Sequence, residues 1–194
     1  MRTLLQKLLK PQQRQQLSND VWLVVGLGNP GPNYQSNRHN VGQMVVDVLA
    51  SRISAKYKNH KSLALVAEGR LPGKDKVILA KSMGFMNLSG NPVQQLMKFF
   101  SVPIEKVIVV HDELDIPFGE LRTKFSGGHA GHNGLRDIIA KSGNDFHRVR
   151  FGIGRPPGQM EVAAFVLQDF SSAERKELPV LLELAADKVE DLLT

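Results

Sequence analysis

The chain has 194 residues, 42% of them hydrophobic and 23% charged, a balance that excludes disordered and collagenous chains and describes one globular domain with a core. Cysteine is absent, which removes thiol nucleophiles, thiolate zinc sites and disulfides. The 25 Lys and Arg against 19 Asp and Glu leave a net charge of +6, which favours an anionic partner such as nucleic acid.

Residues 1–20 read as a basic N-terminal arm, with Arg2, Lys7, Lys10 and Arg14 against Asp20 and a glutamine-rich run over 11–16. Its apolar patches are broken by lysines, and no apolar run anywhere reaches the length of a membrane span. From residue 21 onward, short runs of Val, Ile and Leu recur over 21–27, 63–68, 77–80, 107–110 and 149–153. Several are apolar on consecutive residues, which predicts strands covered on both faces. Helix-period segments lie between them. Residues 40–53 place Val41, Met44, Val45, Val48 and Leu49 on one side. Ser89 is a candidate cap for a helix over 89–100, with Pro92 in its first turn. A glycine-rich loop precedes a helix over 135–140, Ser171 and Glu174 form a capping box, and a second amphipathic helix is expected after Pro179. Strands alternating with helices predict a single-domain α/β three-layer sandwich, a mixed, mostly parallel twisted sheet flanked by helices, over 21–194.

The first motif, Gly26-Leu27-Gly28-Asn29-Pro30-Gly31, has the spacing of a dinucleotide fingerprint but the wrong context. Pro30 and Pro32 remove N–H donors that a pyrophosphate would need, and no acidic residue ends a second strand about 20 residues on. What remains is a stiff turn holding Asn29 at the carboxyl end of a strand, where α/β sheets place ligands. His39, in Asn37-Arg38-His39-Asn40 at a helix entrance, serves there as a cap, a surface residue or a general base whose pKa the helix dipole would lower. Asp112, in His111-Asp112-Glu113-Leu114-Asp115, follows an apolar strand. It is placed to cap a turn, bind a cation or orient an imidazole. Ser126-Gly127-Gly128-His129-Ala130-Gly131-His132-Asn133-Gly134 opens a helix with free N–H groups. Phe85-Met86-Asn87-Leu88-Ser89-Gly90 brings an aromatic and an amide to another. No G-x-S-x-G elbow exists, so an acyl-serine mechanism has no support. Between 120 and 155, seven basic residues face three acidic ones, the pattern of a phosphate-facing surface.

Together these motifs, with Phe151-Gly152-Ile153-Gly154-Arg155-Pro156 as a further landmark, resemble the bacterial peptidyl-tRNA hydrolases from about Val21 to the last helix. The resemblance implies hydrolysis of the ester joining a peptide to the terminal ribose of tRNA, by a cytoplasmic, monomeric, metal-independent enzyme with no cofactor. It implies that His39 is the general base, Asp112 its partner, and Asn29 the residue that separates N-blocked from free aminoacyl groups. Tyr34, Phe85, Asn87 and Asn133 would hold the peptidyl-tRNA end, with His132 beside them. Lys124 and Arg150 would clamp phosphate of the acceptor stem and CCA end. Two further readings remain: a metal-dependent hydrolase using Asp112, Asp115, His129 and His132, and a catalytically silent RNA-binding adaptor. Departures from the resemblance are residues 1–20, an end at Thr194 without the usual short basic tail, and Ser126 and Ala130 in place of loop glycines.

Overall fold

A computed structural model of the chain describes residues 20–193, so the basic arm lies, apart from Asp20, outside the described residues. Seven strands, β1 (Val21–Gly26), β2 (Lys58–His60), β3 (Ala64–Arg70), β4 (Lys76–Ser82), β5 (Val107–Glu113), β6 (Leu121–Phe125) and β7 (His147–Gly152), form one sheet in the order β2-β3-β4-β1-β5-β7-β6. The central four, β4-β1-β5-β7, are parallel. Antiparallel pairings add β3 and β2 at one side and β6 at the other. The helices are α1 (Val41–Arg52), α2 (Gly90–Phe100), α3 (Asn133–Ser142), α4 (Val162–Val166) and α5 (Glu174–Leu192).

The continuous apolar runs of β1 and β5 have a simple cause: each residue of the pair i, i+1 meets a different layer. In β1, Trp22 and Val24 pack with Val45 and Leu49 of α1 and Ala185 and Val189 of α5. Leu23 and Val25 pack with Val93 and Leu96 of α2 and Leu135 and Ile138 of α3. Each such side chain contributes about 1.5–3 kcal/mol relative to exposure. Helix α1 lies on β1 at backbone contact. A Cβ on Gly42 would stand 2.1 Å from the Val110 carbonyl oxygen, and one on Gly26 would stand 2.3 Å from the Gly42 carbonyl oxygen. Only glycine permits that approach, and it brings the start of α1 down beside the carboxyl ends of β1 and β5.

The structure departs from the sequence reading in several places. Strands β2 and β6 are polar edge strands, with the patterns Lys-Asn-His and Leu-Arg-Thr-Lys-Phe and mostly exposed side chains. They carry no apolar run because neither is covered on two faces. Ser89 does not cap α2. It is itself in the helical region, and its hydroxyl donates to the Met86 carbonyl at 2.7 Å. The Gly90 N–H is met instead by the Asp137 carboxylate of α3, also at 2.7 Å. Pro179 does not separate two helices but lies inside α5, where its ring costs one hydrogen bond of the first turns. The capping box is formed: the Ser171 N–H donates to Glu174 Oε2 at 2.6 Å and the Glu174 N–H to Ser171 Oγ at 3.2 Å.

Candidate active site

His39 sits in a 3-10 turn (Arg38–Asn40) that leads directly into α1. The neighbouring Arg38 is buried and anchors this turn to the far end of the chain. It donates to Glu174 at 2.7 Å and to the Asp169 carbonyl at 2.9 Å, with its guanidinium 4.3 Å from the Phe165 ring centre. Asn37 adds a 2.7 Å bond to Asp169.

Across the sheet, Asp112 of β5 reaches the same point. His39 Nδ1 lies 2.9 Å from both of its carboxylate oxygens, and His132 Nε2 lies 2.9 Å from Oδ1. The proton positions follow from the other partners. His132 is the N-cap of α3, and its Nδ1 accepts from the Gly134 and Leu135 N–H groups, so its proton is on Nε2 and is donated to Asp112. His39 donates from Nδ1 to the carboxylate, which leaves its Nε2 as a bare lone pair. His111, fully buried, donates from Nδ1 to the Asp112 carbonyl at 2.7 Å. Burial, with His132 nearby, lowers its pKa to about 3, so it stays neutral.

One electrostatic expectation is corrected here. The helix dipole predicted a lowered pKa for His39. Burial does oppose its charged form, but the charge and hydrogen bond of Asp112 more than offset this and raise it above the usual value. A full charge at hydrogen-bond distance outweighs a half-charge dipole. Burial pushes the Asp112 carboxyl up, yet the two imidazoles hold it well below the usual carboxylate range.

A cleft of about 290 Å³ opens beside His39, lined by Asn29, Phe85, Met86, Asn87, Asn133 and the α4 side chains. A second hollow of about 270 Å³ lies against His39, Asp112, His132 and Asn133. Asn29 is 7% exposed. Asn40 grips its main chain, accepting from the Asn29 N–H and donating to the Asn29 carbonyl, both at 2.9 Å. The Asn29 Oδ1 accepts the Met86 N–H at 2.8 Å, which fixes which way this amide faces and leaves its NH₂ to donate. Asn133 repeats the device: its Oδ1 accepts from Arg136 at 3.1 Å. Asn87 and Phe85 are exposed at the mouth, and Tyr34 stands edge-on to Phe85 at 6.2 Å between ring centres. Tyr34 itself lines neither hollow.

Lys124 and Arg150 lie apart from this cleft, on one face of the β6–β7 pair, where Arg122 opposes Arg150 and Lys124 opposes Arg148. Arg150 is tied to Glu113 at 3.2 Å, and Lys124 is exposed. The four-residue metal set is not assembled: Asp115 pairs with Arg155 at 2.5 Å and His129 Nδ1 accepts from the Gly131 N–H. Among the described residues, the group whose ligand atoms converge is His39, Asp112 and His132, all within 4.8 Å. There the two imidazole nitrogens spend their protons on the carboxylate. Sequence reasoning missed Asn40 as the clasp on Asn29 and the wall made by Ala163 and Val166 of α4 with Leu167 just after it. The short apolar run 162–166 was the available signal. Ser126 and Ala130 both adopt positive φ, 60° and 46°, the conformation that favours glycine there.

A family model described as peptidyl-tRNA hydrolase matches residues 23–194. The chain is 60% identical over 177 residues to the peptidyl-tRNA hydrolase of Streptomyces coelicolor, covering 89% of this chain and 88% of that one. It is 58% identical over 176 residues to that of Paenarthrobacter aurescens, covering 90% and 91%. Its fold is similar to the crystal structure of peptidyl-tRNA hydrolase from Acinetobacter baumannii, with a TM-score of 0.79 and 38% identity over 91% of this chain and 93% of that one. No helix among the described residues is long and apolar enough to cross a membrane.

Proposed function

The chain belongs to the peptidyl-tRNA hydrolase family, and from that premise we propose how its cleft performs the reaction. The reaction is hydrolysis of the ester between a peptide and the terminal ribose of tRNA, which frees the tRNA for reuse. His39 is the catalytic base. Its Nε2 takes a proton from water, and the resulting hydroxide attacks the ester carbonyl. The tetrahedral oxyanion collapses, and the ribose oxygen leaves with the proton returned from Nε2. Asp112 holds the Nδ1–H tautomer and stabilises the imidazolium between these steps. The single observation that carries this reading is His39 Nδ1 on Asp112 at 2.9 Å with Nε2 free beside the amides of the cleft. A positioned base supplies roughly 10²–10⁴-fold and one aimed amide donor roughly 10²–10³-fold.

Asn29 reads the acyl group. Because the Met86 N–H holds its Oδ1, the amide is oriented to present its N–H donors. The carbonyl of an N-blocked group accepts them, whereas the ammonium of a free aminoacyl group has no acceptor to give and leaves the amide unpaired. Asn87 and Asn133 hold the peptide backbone, Tyr34 and Phe85 pack on the peptide or the terminal adenine, and His132 fixes Asp112. Lys124 and Arg150 take stem phosphates near the CCA end without reading sequence. The accompanying reading is a metal-independent, cytoplasmic monomer with one catalytic domain over 21–194 and a basic arm before it. The test is release of N-acetylaminoacyl groups from tRNA in the presence of chelator, with His39→Ala removing at least a hundredfold of kcat. Full turnover by that variant, or rescue of chelated enzyme by a divalent ion, overturns the assignment.

A further inference from the structure

Arg148 has no role in the chemistry above, yet among the described residues it is an unusual cation. It is 3% exposed, and among the described residues it forms no ion pair and its Nε has no hydrogen-bond partner. Its Nη1 donates to the Gly128 carbonyl at 2.6 Å and its Nη2 to the Gly127 carbonyl, while the guanidinium lies 4.8 Å from the Phe146 ring centre. A guanidinium is costly to desolvate, and this one is spent on two consecutive carbonyls of one loop. Its planar fork matches that pair as a lysine ammonium would not.

Those carbonyls belong to the seat of another residue. Lys124 stands directly across from Arg148 in the β6–β7 register, and its side chain lies over Gly127. A Cβ at Gly127 would meet Lys124 Cε at 2.8 Å and Nζ at 2.7 Å, and φ there is +105°. Gly127 is therefore held at its carbonyl by Arg148 and covered at its α-carbon by Lys124. The catalytic half of the loop has separate supports: the Gly131 N–H on His129 Nδ1, the His132 N–H on the His129 carbonyl, and His132 on Asp112. We infer that Arg148 is a positioning residue for Lys124, fixing the loop surface that aims this lysine at substrate phosphate while leaving the ester site to its own supports. The inference rests on Lys124 being part of the phosphate clamp.

The experiment compares Arg148→Lys, Gly127→Ala, Lys124→Ala and the Arg148→Lys/Lys124→Ala double variant in the full chain. Two substrates separate the effects: N-acetylaminoacyl-tRNA, and the N-acetylaminoacyl ester of adenosine, which keeps the scissile bond and has no phosphates. Arg148→Lys keeps the charge but gives up the fork, and is expected to raise KM for the tRNA substrate about tenfold, the loss of one charge-assisted hydrogen bond. Its kcat, and its turnover of the small ester, stay as in the parent. Gly127→Ala is expected to give the same split and carries the test alone if melting shows Arg148→Lys unfolded. In the double variant, Arg148→Lys adds nothing to Lys124→Ala. Equal losses on both substrates, an unchanged KM, or penalties that multiply would overturn the inference. An unchanged KM in Lys124→Ala removes the clamp reading itself, and this inference with it.

Discussion

Asn40 holds Asn29 by both of its main-chain polar groups, Nδ2 to carbonyl and Oδ1 to N–H, each at 2.9 Å. The two residues are eleven apart in sequence, at either end of the connection from β1 to α1, and His39 is the residue just before the clasp closes. One amide thus fixes the distance between the reading residue and the base. Such an arrangement confers rate only while it is rigid, since misplacement of about 1 Å can cost a hundredfold.

Replacement of Asn40 by Ala strands a buried donor and acceptor at Asn29, a cost of about 1–3 kcal/mol each. Melting should fall by several degrees and kcat/KM for N-acetylaminoacyl-tRNA by more than tenfold. Because Asp112 is untouched, the pH at which activity half-appears should not move. A shifted profile would show that Asn40 acts on the base and not on Asn29.

The base titrates upward of its ordinary value, and the sign of the pH dependence follows. Catalysis needs neutral imidazole, so kcat/KM should rise with pH to an inflection above 6.5. Asp112→Asn removes the charge that raises His39, weakens the hydrogen bond to a neutral one and leaves burial, which lowers it. Its inflection should lie below 6.5, with a loss of about 10²–10⁴-fold in kcat. The stability linkage runs the other way. The raised His39 contributes to stability fully below pH 6.5, and this contribution is lost as pH rises through the folded value. The depressed Asp112 contributes above pH 3.8, and that share is lost only in stronger acid. Unfolding at several pH values checks both.

Asn29→Asp keeps an oxygen for the Met86 N–H but presents a carboxylate to the acyl group where the amide presented donors. The preference for N-blocked over free aminoacyl-tRNA should fall by about a hundredfold or more, through loss on the blocked substrate and gain on the ammonium. Competition between the two substrates measures the ratio. An unchanged ratio places the discrimination elsewhere.

Gly42→Ala should be among the most damaging small changes, because a Cβ at that position stands 2.1 Å from backbone oxygen, with no flexible side chain to yield. A loss above about 3 kcal/mol is expected, since α1 must lift from the sheet. Denaturant titration gives the value, and the displacement should also reduce activity, because α1 carries the catalytic turn.

The central sheet was legible in the residues because β1, β4 and β5 are covered on two faces, and burial on two faces forces a continuous apolar run, whereas β7 alternates, with Val149 and Phe151 in the core and Arg148 and Arg150 on its other face. Edge strands β2 and β6 have no such constraint, and their polar residues leave no mark that distinguishes them from loop. Asn29, His39, Asp112, Asn87 and Asn133 were all named from motifs, each being a short local pattern at an element boundary. What each side chain does there was not local. Asp112 serves two histidines that lie 73 residues before it and 20 after it. The expected direction of the His39 shift was wrong because the nearest charge comes from another strand and not from its own helix.

The chain alone thus determined the order of elements, the buried strands and the identity of the polar groups at their ends, since these follow from periodicity and backbone chemistry within a few residues. Only the folded molecule decided which atoms of those groups are already occupied. Met86 takes one side of Asn29, Asp112 takes Nε2 of His132 and a pair of glycine carbonyls takes Arg148. Hydrogen-bonding capacity is fixed by residue type, but the part left over for a substrate depends on neighbours that only tertiary packing brings within 3 Å.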